Sequence, residues 1–162
     1  MKIYHLKRTQ VLPISLQQAW DFFSTPKNLG LITPTQMNFK VLYMSGGERM
    51  YAGQIIRYKV AVKPWLVVDW TTEITHVNEP YHFVDEQRSG PYALWHHQHH
   101  FKEVDGGVEM TDDLHYAIAF GIFGRLANAL FVEREVNAIF DYRFKVLESY
   151  FSKTKTGEPA AV

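Results

Sequence analysis

Between Tyr92 and Phe101 the chain reads YALWHHQHHF, placing His96, His97, His99 and His100 within five consecutive positions. Imidazole titrates near neutral pH, ligates borderline metals and both donates and accepts hydrogen bonds. A cluster this dense can therefore serve acid/base catalysis, metal binding or the anchoring of a polar group. If the segment is a strand, alternation divides the four histidines. Trp95, His97, His99 and Phe101 share one face, and Leu94, His96, Gln98 and His100 the other. The first face carries two large aromatics and is assigned to the interior; the second is assigned to solvent.

Asp105 and Gly106 are the strongest hairpin signal in the chain. A two-residue turn there sets Val104 opposite Gly107, and so Phe101 opposite Met110, His99 opposite Asp112, His97 opposite Leu114 and Trp95 opposite Tyr116. An inward carboxylate then stands beside an inward imidazole. Burial raises the pKa of Asp112 and lowers that of His99, while their attraction opposes both shifts. Such a pair can be an internal hydrogen bond that fixes a tautomer, or an acid/base couple in which Asp112 orients His99. His97, His99 and Asp112 as ligands of one metal ion are a minor alternative, and no metal or other cofactor is expected. His115 points away from that face, and His76 and His82 border the NEP turn and are expected to be exposed.

Other chemistries lack residues. There is no G-x-S-x-G elbow, no phosphate-binding glycine loop followed by a helix, and no cysteine for a thiol nucleophile, disulfide or iron–sulfur site. Seventeen basic residues balance seventeen acidic ones, so no overall field favours nucleic acid. No apolar run approaches the roughly 20 residues that span a bilayer, and the start of the chain alternates instead of resembling a secretory signal; a soluble cytoplasmic protein is expected. The 162 residues fit one domain, monomeric or homodimeric, with an aromatic share of 15% that has to line something.

The elements that must position these residues are readable. A first strand from Ile3 to Leu12 ends at Pro13, and Ser15 can cap a short amphipathic helix with Leu16, Ala19, Trp20 and Phe23 on one face. PKNLGLITP allows only a second short helical turn. From Phe39 to about Ala117 come six runs rich in Val, Ile, Tyr, Trp and Thr (FKVLY, GQIIRYKVAV, WLVVDWTTEITHV, YHFVDEQ, YALWHHQHHF, VEMTDDLHYAI), separated by turn residues, which read as an antiparallel meander. Val132, Val136, Ile139, Phe140, Arg143, Leu147 and Tyr150 then recur at helical spacing along one helix of about 25 residues, roughly 37 Å. Residues 1–152 form the expected domain, and 153–162 are expected to be a disordered tail. A curved sheet of seven strands leaves an open inner side for the long helix to cover, with a cavity between them. Trp70, Thr72 and Ile74 share a face assigned inward. The facing of Asp85 stays open, and Glu135 and Arg143 are either a polar end of the cavity or exposed.

The runs GPYALWHHQHHF, GGVEMTDDLHY and FGIFGRLANALFVEREVNAIFDYR resemble the START-like helix-grip superfamily, SRPBCC, in its polyketide cyclase/dehydratase and lipid-transport-like branch. VLPISLQQAWDFFSTPKNLGLITP resembles the superfamily's opening, so the likeness covers about Met1 to Phe151. The spacing of Trp95, His97, His99 and Phe101, with Asp112, Tyr116 and Ile139 to Arg143, resembles a bacterial subgroup sometimes labelled cell-division-inhibitor-like. The resemblance implies an α+β helix-grip fold: a seven-stranded antiparallel sheet wrapped around a long C-terminal helix, with two short helices after the first strand. It also implies a cavity for a lipid, sterol, polyketide or aromatic molecule, held as by a carrier or sensor, with a cyclase, dehydratase or hydrolase activity on His99 and Asp112 as the alternative. Trp70, Trp95, Phe101, Tyr116 and Phe140 are the expected apolar contacts, and His97, His99 and Asp112 the polar anchor.

Overall fold

The structure is a computed structural model that describes residues 1–155. Strand β1 (Tyr4–Leu12) leads through Pro13 to helix α1 (Leu16–Phe23). Ser15 caps that helix as its sequence suggests: its hydroxyl accepts from the Gln18 backbone N–H at 3.2 Å, and its own N–H donates to the Gln18 side chain at 2.9 Å. The reciprocal bonds satisfy two backbone donors that the first turn leaves free. A 3-10 segment over Pro26–Ile32 and a shorter one over Thr35–Met37 follow, as expected where Pro and Gly interrupt the helical register.

The six expected runs are six strands: β2 (Lys40–Met44), β3 (Gln54–Lys63), β4 (Leu66–Asn78), β5 (His82–Ser89), β6 (Leu94–Val104) and β7 (Gly107–Ala117). They form one antiparallel seven-stranded sheet in the order β1-β7-β6-β5-β4-β3-β2. The meander thus runs across the sheet, and β1 closes on its last strand. The β6–β7 register follows from the Asp105–Gly106 turn, with Val104 opposite Gly107, His99 opposite Asp112 and Trp95 opposite Tyr116. Gly107 also permits close passage of the chain, since a Cβ there would lie 2.0 Å from the Leu12 carbonyl oxygen. Shifts of register interrupt the β4–β5 pairing near Thr71 and between Ile74 and His76.

Helix starts earlier than the periodicity suggests. Phe120 takes a left-handed conformation (φ 68°) and α2 (Gly121–Ala127) follows, passing through one π-helical turn (Asn128–Val132) into α3 (Glu133–Lys155). Gly121 and Gly124 disguise this helix in the sequence because glycine reads as a breaker. Gly124 is required by packing, as a Cβ there would sit 1.9 Å from the Ala119 carbonyl oxygen. Phe120, Ile122, Phe123, Leu126, Leu130 and Phe131 stay exposed along this segment. Helix α3 continues three residues past the expected boundary at 152, and the rest of the expected tail lies outside the described residues.

Two apolar clusters lock helix to sheet. One joins α1, through Trp20, Phe22 and Phe23, to Phe83, Phe101 and the end of α3 at Leu147 and Phe151. The other gathers Leu6, Leu114 and Tyr116 around Val136 and Phe140 of α3. Between sheet and helix a cavity remains. Among the described residues, no helix is long and apolar enough to cross a membrane.

Candidate functional site

The cavity has a volume of about 560 Å³. Its walls are mostly apolar, from Phe39, Ile56, Tyr58, Val60, Trp70, Ile74, Tyr92 and Trp95 on the sheet side and Ala138, Ile139 and Phe140 on α3. Three rings form a mesh: Trp70 meets Trp95 edge-on at 5.1 Å, and Tyr92 lies 5.5 Å from Trp70 and 4.7 Å from Trp95. Edge-to-face packing stiffens such a wall beyond what area burial provides. Tyr58 donates or accepts a hydrogen bond with Thr72 across β3 and β4. Lys63 and Glu135, 2.7 Å apart, tie the end of β3 to α3 at the rim.

One end of the cavity is charged. Asp85 on β5, His97 and His99 on β6, Asp112 on β7 and Arg143 on α3 converge there, all buried but Asp85, whose side chain is 17% exposed. Asp85 stands opposite His97 across β5–β6, and His99 opposite Asp112 across β6–β7. The hydrogen bonds run along the diagonals instead. His97 Nε2–H donates to Asp112 Oδ1 at 3.1 Å, and His99 Nε2–H to Asp85 Oδ2 at 2.9 Å. His97 Nδ1 is 3.4 Å from Asp85 Oδ2, and His99 Nδ1 is 3.1 Å from Asp112 Oδ1. Arg143 reaches Asp112 at 3.2 Å and donates to His99 Nδ1 at 3.4 Å. A guanidinium is only a donor, so this last bond makes His99 the neutral Nε2–H tautomer.

These contacts split the two imidazoles electrostatically. For His97, burial opposes the charge, but the hydrogen bonds to Asp112 and Asp85 and their negative charges outweigh it, raising its pKa to about 9. For His99, burial and then the neighbouring charge of His97 lower the pKa. Burial pushes Asp112 up, yet the Arg143 guanidinium and the two histidines hold it well below the usual carboxylate range. Asp85 is held low in the same way by hydrogen bonds from His97 and His99 against its own burial. The cluster is therefore neutral in sum, with Asp85 and Asp112 balanced by Arg143 and protonated His97.

Of the residues singled out in the sequence, Trp70, Trp95, His97, His99 and Phe140 line the cavity, whereas Phe101, Asp112 and Tyr116 do not. Phe101 belongs to the core below, 5.3 Å from the Phe23 ring and 6.2 Å from Phe83. Tyr116 packs in the second apolar cluster, stacked on Tyr4. Asp112 lies behind the histidines, facing β1 and α3, and the carboxylate on the cavity side is Asp85. Alternation from inward Phe83 was the available signal for Asp85. Arg143 falls within the apolar stripe of α3, where a buried partner was the signal. Of the outward histidines, His96 bonds Glu86 at 2.6 Å and His100 is exposed, as expected. His76 is exposed too, but His82 is half-buried against the His100 ring.

The same arrangement of sheet and helix occurs in solved structures. The Zhui aromatase/cyclase from Streptomyces sp. R1128 superposes with a TM-score of 0.73 at 13% identity, over 94% of this chain and 95% of that one. The chain has the helix-grip fold, a curved seven-stranded antiparallel sheet closed by a long C-terminal helix. The di-domain aromatase/cyclase StfQ from the steffimycin biosynthetic pathway aligns at TM-score 0.69 and 12% identity, over 96% of this chain and 53% of that one. The TTHA0849 protein of Thermus thermophilus aligns at 0.66 and 18%, over 90% and 95%. No family model matches the chain, and no match is found among curated proteins. At these identities the helix-grip likeness concerns architecture, and function has to be argued from the site.

Proposed function

We propose that this helix-grip chain binds an amphipathic small molecule of the aromatic or polyketide class, with its apolar body against the aromatic wall and its polar group at the charged end. The observation that carries this is a cavity of about 560 Å³ that is apolar along its length and ends in a buried charged cluster. Ligand sites span roughly 300 to 1,000 Å³ and combine apolar lining with a few placed polar groups. Trp70 Nε1 is buried with no hydrogen-bond partner among the described residues, a donor that a ligand oxygen would satisfy. The aromatase/cyclases of the same fold support the ligand class.

Native mass spectrometry of untagged protein, before and after denaturation, tests the proposal. A non-covalent organic adduct is expected, and Ala138→Trp, at an exposed cavity-lining position on α3, should remove it without unfolding the chain. A bare protein that also fails to bind any of a panel of aromatic and amphipathic probes would exclude it.

One observation favours a catalytic version of the same site. Two adjacent imidazoles whose pKa values are driven in opposite directions are the arrangement from which a proton donor and a proton acceptor are made. His97 would protonate a carbonyl oxygen, and His99, switched to the Nδ1–H tautomer that donates to Asp112 at 3.1 Å in place of the Arg143 contact, would accept at Nε2 a proton from the carbon beside it, as ring closure of a poly-carbonyl chain requires. Exchange of the α-hydrogens of a β-dicarbonyl compound for deuterium reports this. Catalysed exchange lost in His99→Gln, with binding retained, identifies an enzyme; no exchange above background leaves a carrier.

A further inference from the structure

The hydrogen bonds of the charged cluster follow a pattern that internal satisfaction alone does not require. Each imidazole has one nitrogen directed at Asp85 and the other at Asp112. Asp85 Oδ2 lies 3.4 Å from His97 Nδ1 and 2.9 Å from His99 Nε2, and one donor atom from each of the three residues falls within 4.8 Å of the others. Donors around a first-row metal ion with bonds of about 2.0 to 2.2 Å stand about 3 to 3.5 Å apart, so small ring movements would bring all three onto one ion. On the far side, Asp112 Oδ1 is 3.1 Å from His97 Nε2 and 3.1 Å from His99 Nδ1. One carboxylate thus backs both imidazoles at the nitrogens that a metal would leave free; an ion on His99 Nε2 would move that ring's proton to Nδ1, where it donates to Asp112 in place of the Arg143 contact, the outer bond that orients ligating histidines. We propose that Asp85, His97 and His99 form a binding site for a first-row divalent metal ion, with Asp112 orienting both imidazoles from behind and the remaining coordination positions open to the cavity.

Charge and packing support the assignment. An ion ligated by His97 takes the place of that ring's extra proton; with both imidazoles then neutral, Asp85 and Asp112 face a single cation, Arg143, and one buried negative charge is left for the ion. A divalent ion compensates it and still attracts an anionic oxygen from the cavity. The rings are already held in place: His99 stacks on Phe83 at 4.1 Å, and His97 meets the edge of Phe140 at 5.4 Å. Two nitrogens and one oxygen suit zinc, iron(II) or cobalt(II) and not calcium or magnesium, which prefer oxygen alone. Sequence reading put Asp112 in the third ligand position; the structure assigns that place to Asp85, because Asp112 lies outside the cavity. A carboxylate or enolate oxygen of the cavity's occupant would complete the sphere, but the site is argued from the chain's own donors and does not depend on that occupant.

The test uses metal alone. Calorimetric titration of chelator-treated, untagged protein with zinc or cobalt(II) should show one ion per chain. Asp85→Ala or His99→Ala should abolish that binding, and Asp112→Asn should weaken it about 10- to 100-fold. His5, Asp113 and His115 form a second, more exposed donor group on the surface, and His5→Ala with His115→Ala should leave the stoichiometry unchanged. Because substitutions in a buried cluster can unfold the chain, the native protein supplies a second reading. Bound cobalt(II) should move the ring-proton resonances of His97 and His99 out of their normal range and leave those of His5 and His115 in place. Absence of one-to-one binding, binding that survives His99→Ala in a folded variant, or shifts confined to His5 and His115 would each overturn the site.

Discussion

At the residue scale, the buried cluster is stable only while its charges remain matched. Removing one partner of a buried pair leaves the other charge without compensation, typically at about 3 to 5 kcal/mol. Arg143→Met should therefore destabilise the protein by that amount in urea unfolding, because Asp112 loses its guanidinium at 3.2 Å. In the Arg143→Met, Asp112→Asn double variant both charges are gone, so the loss should fall short of the sum of the single losses by about 1 to 3 kcal/mol. Additive losses would mean that the two side chains act independently. Tyr58 makes a separate prediction at alkaline pH. Burial first, and then the nearby charge of Asp85, raise its hydroxyl well above the ordinary value of 10.0, against the hydrogen bond to Thr72. A raised folded-state pKa means stability that is complete below the unfolded value and falls once pH exceeds it. Between about pH 10 and 11 this one tyrosine should cost about 1 kcal/mol, approaching about 1.4 kcal/mol per pH unit above that, and Tyr58→Phe should remove that share of the slope in unfolding measured across the window.

At the element scale, the sequence is most legible where one rule acts alone. Strand β6 shows this: alternation and the Asp105–Gly106 turn determine both the inward pair His97 and His99 and the residues opposite them. For Asp85 the signal is weak: alternation from Phe83 points inward, but Val84 beside it is equally buried, and two register shifts in the β4–β5 pairing keep position counted along β4 from carrying across to β5. Arg143 was ambiguous for another reason. Its place in the apolar stripe of α3 indicates burial, but its type indicates solvent, and only the carboxylate brought by β7 decides between them. Helix α2 was hidden by two glycines of different purpose. At Gly124 an added Cβ would lie 1.9 Å from the Ala119 carbonyl oxygen, whereas at Gly121, with φ 55°, it would meet open space. Gly124→Ala should thus cost about 1 to 3 kcal/mol as the helix start shifts to relieve the clash. Gly121→Ala should cost only the left-handed conformation, about 1 to 2 kcal/mol. Denaturant unfolding of both variants, with helix content followed by circular dichroism, separates the causes: only Gly124→Ala should also alter the native spectrum.

At the scale of the whole molecule, the fold leaves unfilled a volume that close packing would ordinarily eliminate. Interiors pack about as densely as organic crystals, and apolar voids forfeit contact energy on every wall. A chain that keeps about 560 Å³ open between sheet and α3 gives up stability for capacity, and filling the space should reverse the exchange. Val60 is the position to test, since its side chain is 3% exposed, lines the cavity and sits on β3, away from the charged cluster. In a filled core, Val60→Phe would overpack and cost about 1 to 3 kcal/mol. Facing this cavity, the added ring should enter open space and bury new apolar surface, so the melting temperature should hold or rise by a few degrees. The same ring should also compete with any probe that binds in the cavity. A probe at 100 times its dissociation constant stabilises wild-type protein by about 2.7 kcal/mol, and that ligand-dependent rise in melting temperature should largely disappear in the variant. Thermal unfolding of both proteins with and without the probe measures the two effects together. A fall of the overpacking size in the free variant would show that the cavity closes in solution; unchanged ligand stabilisation would place the probe elsewhere on the molecule.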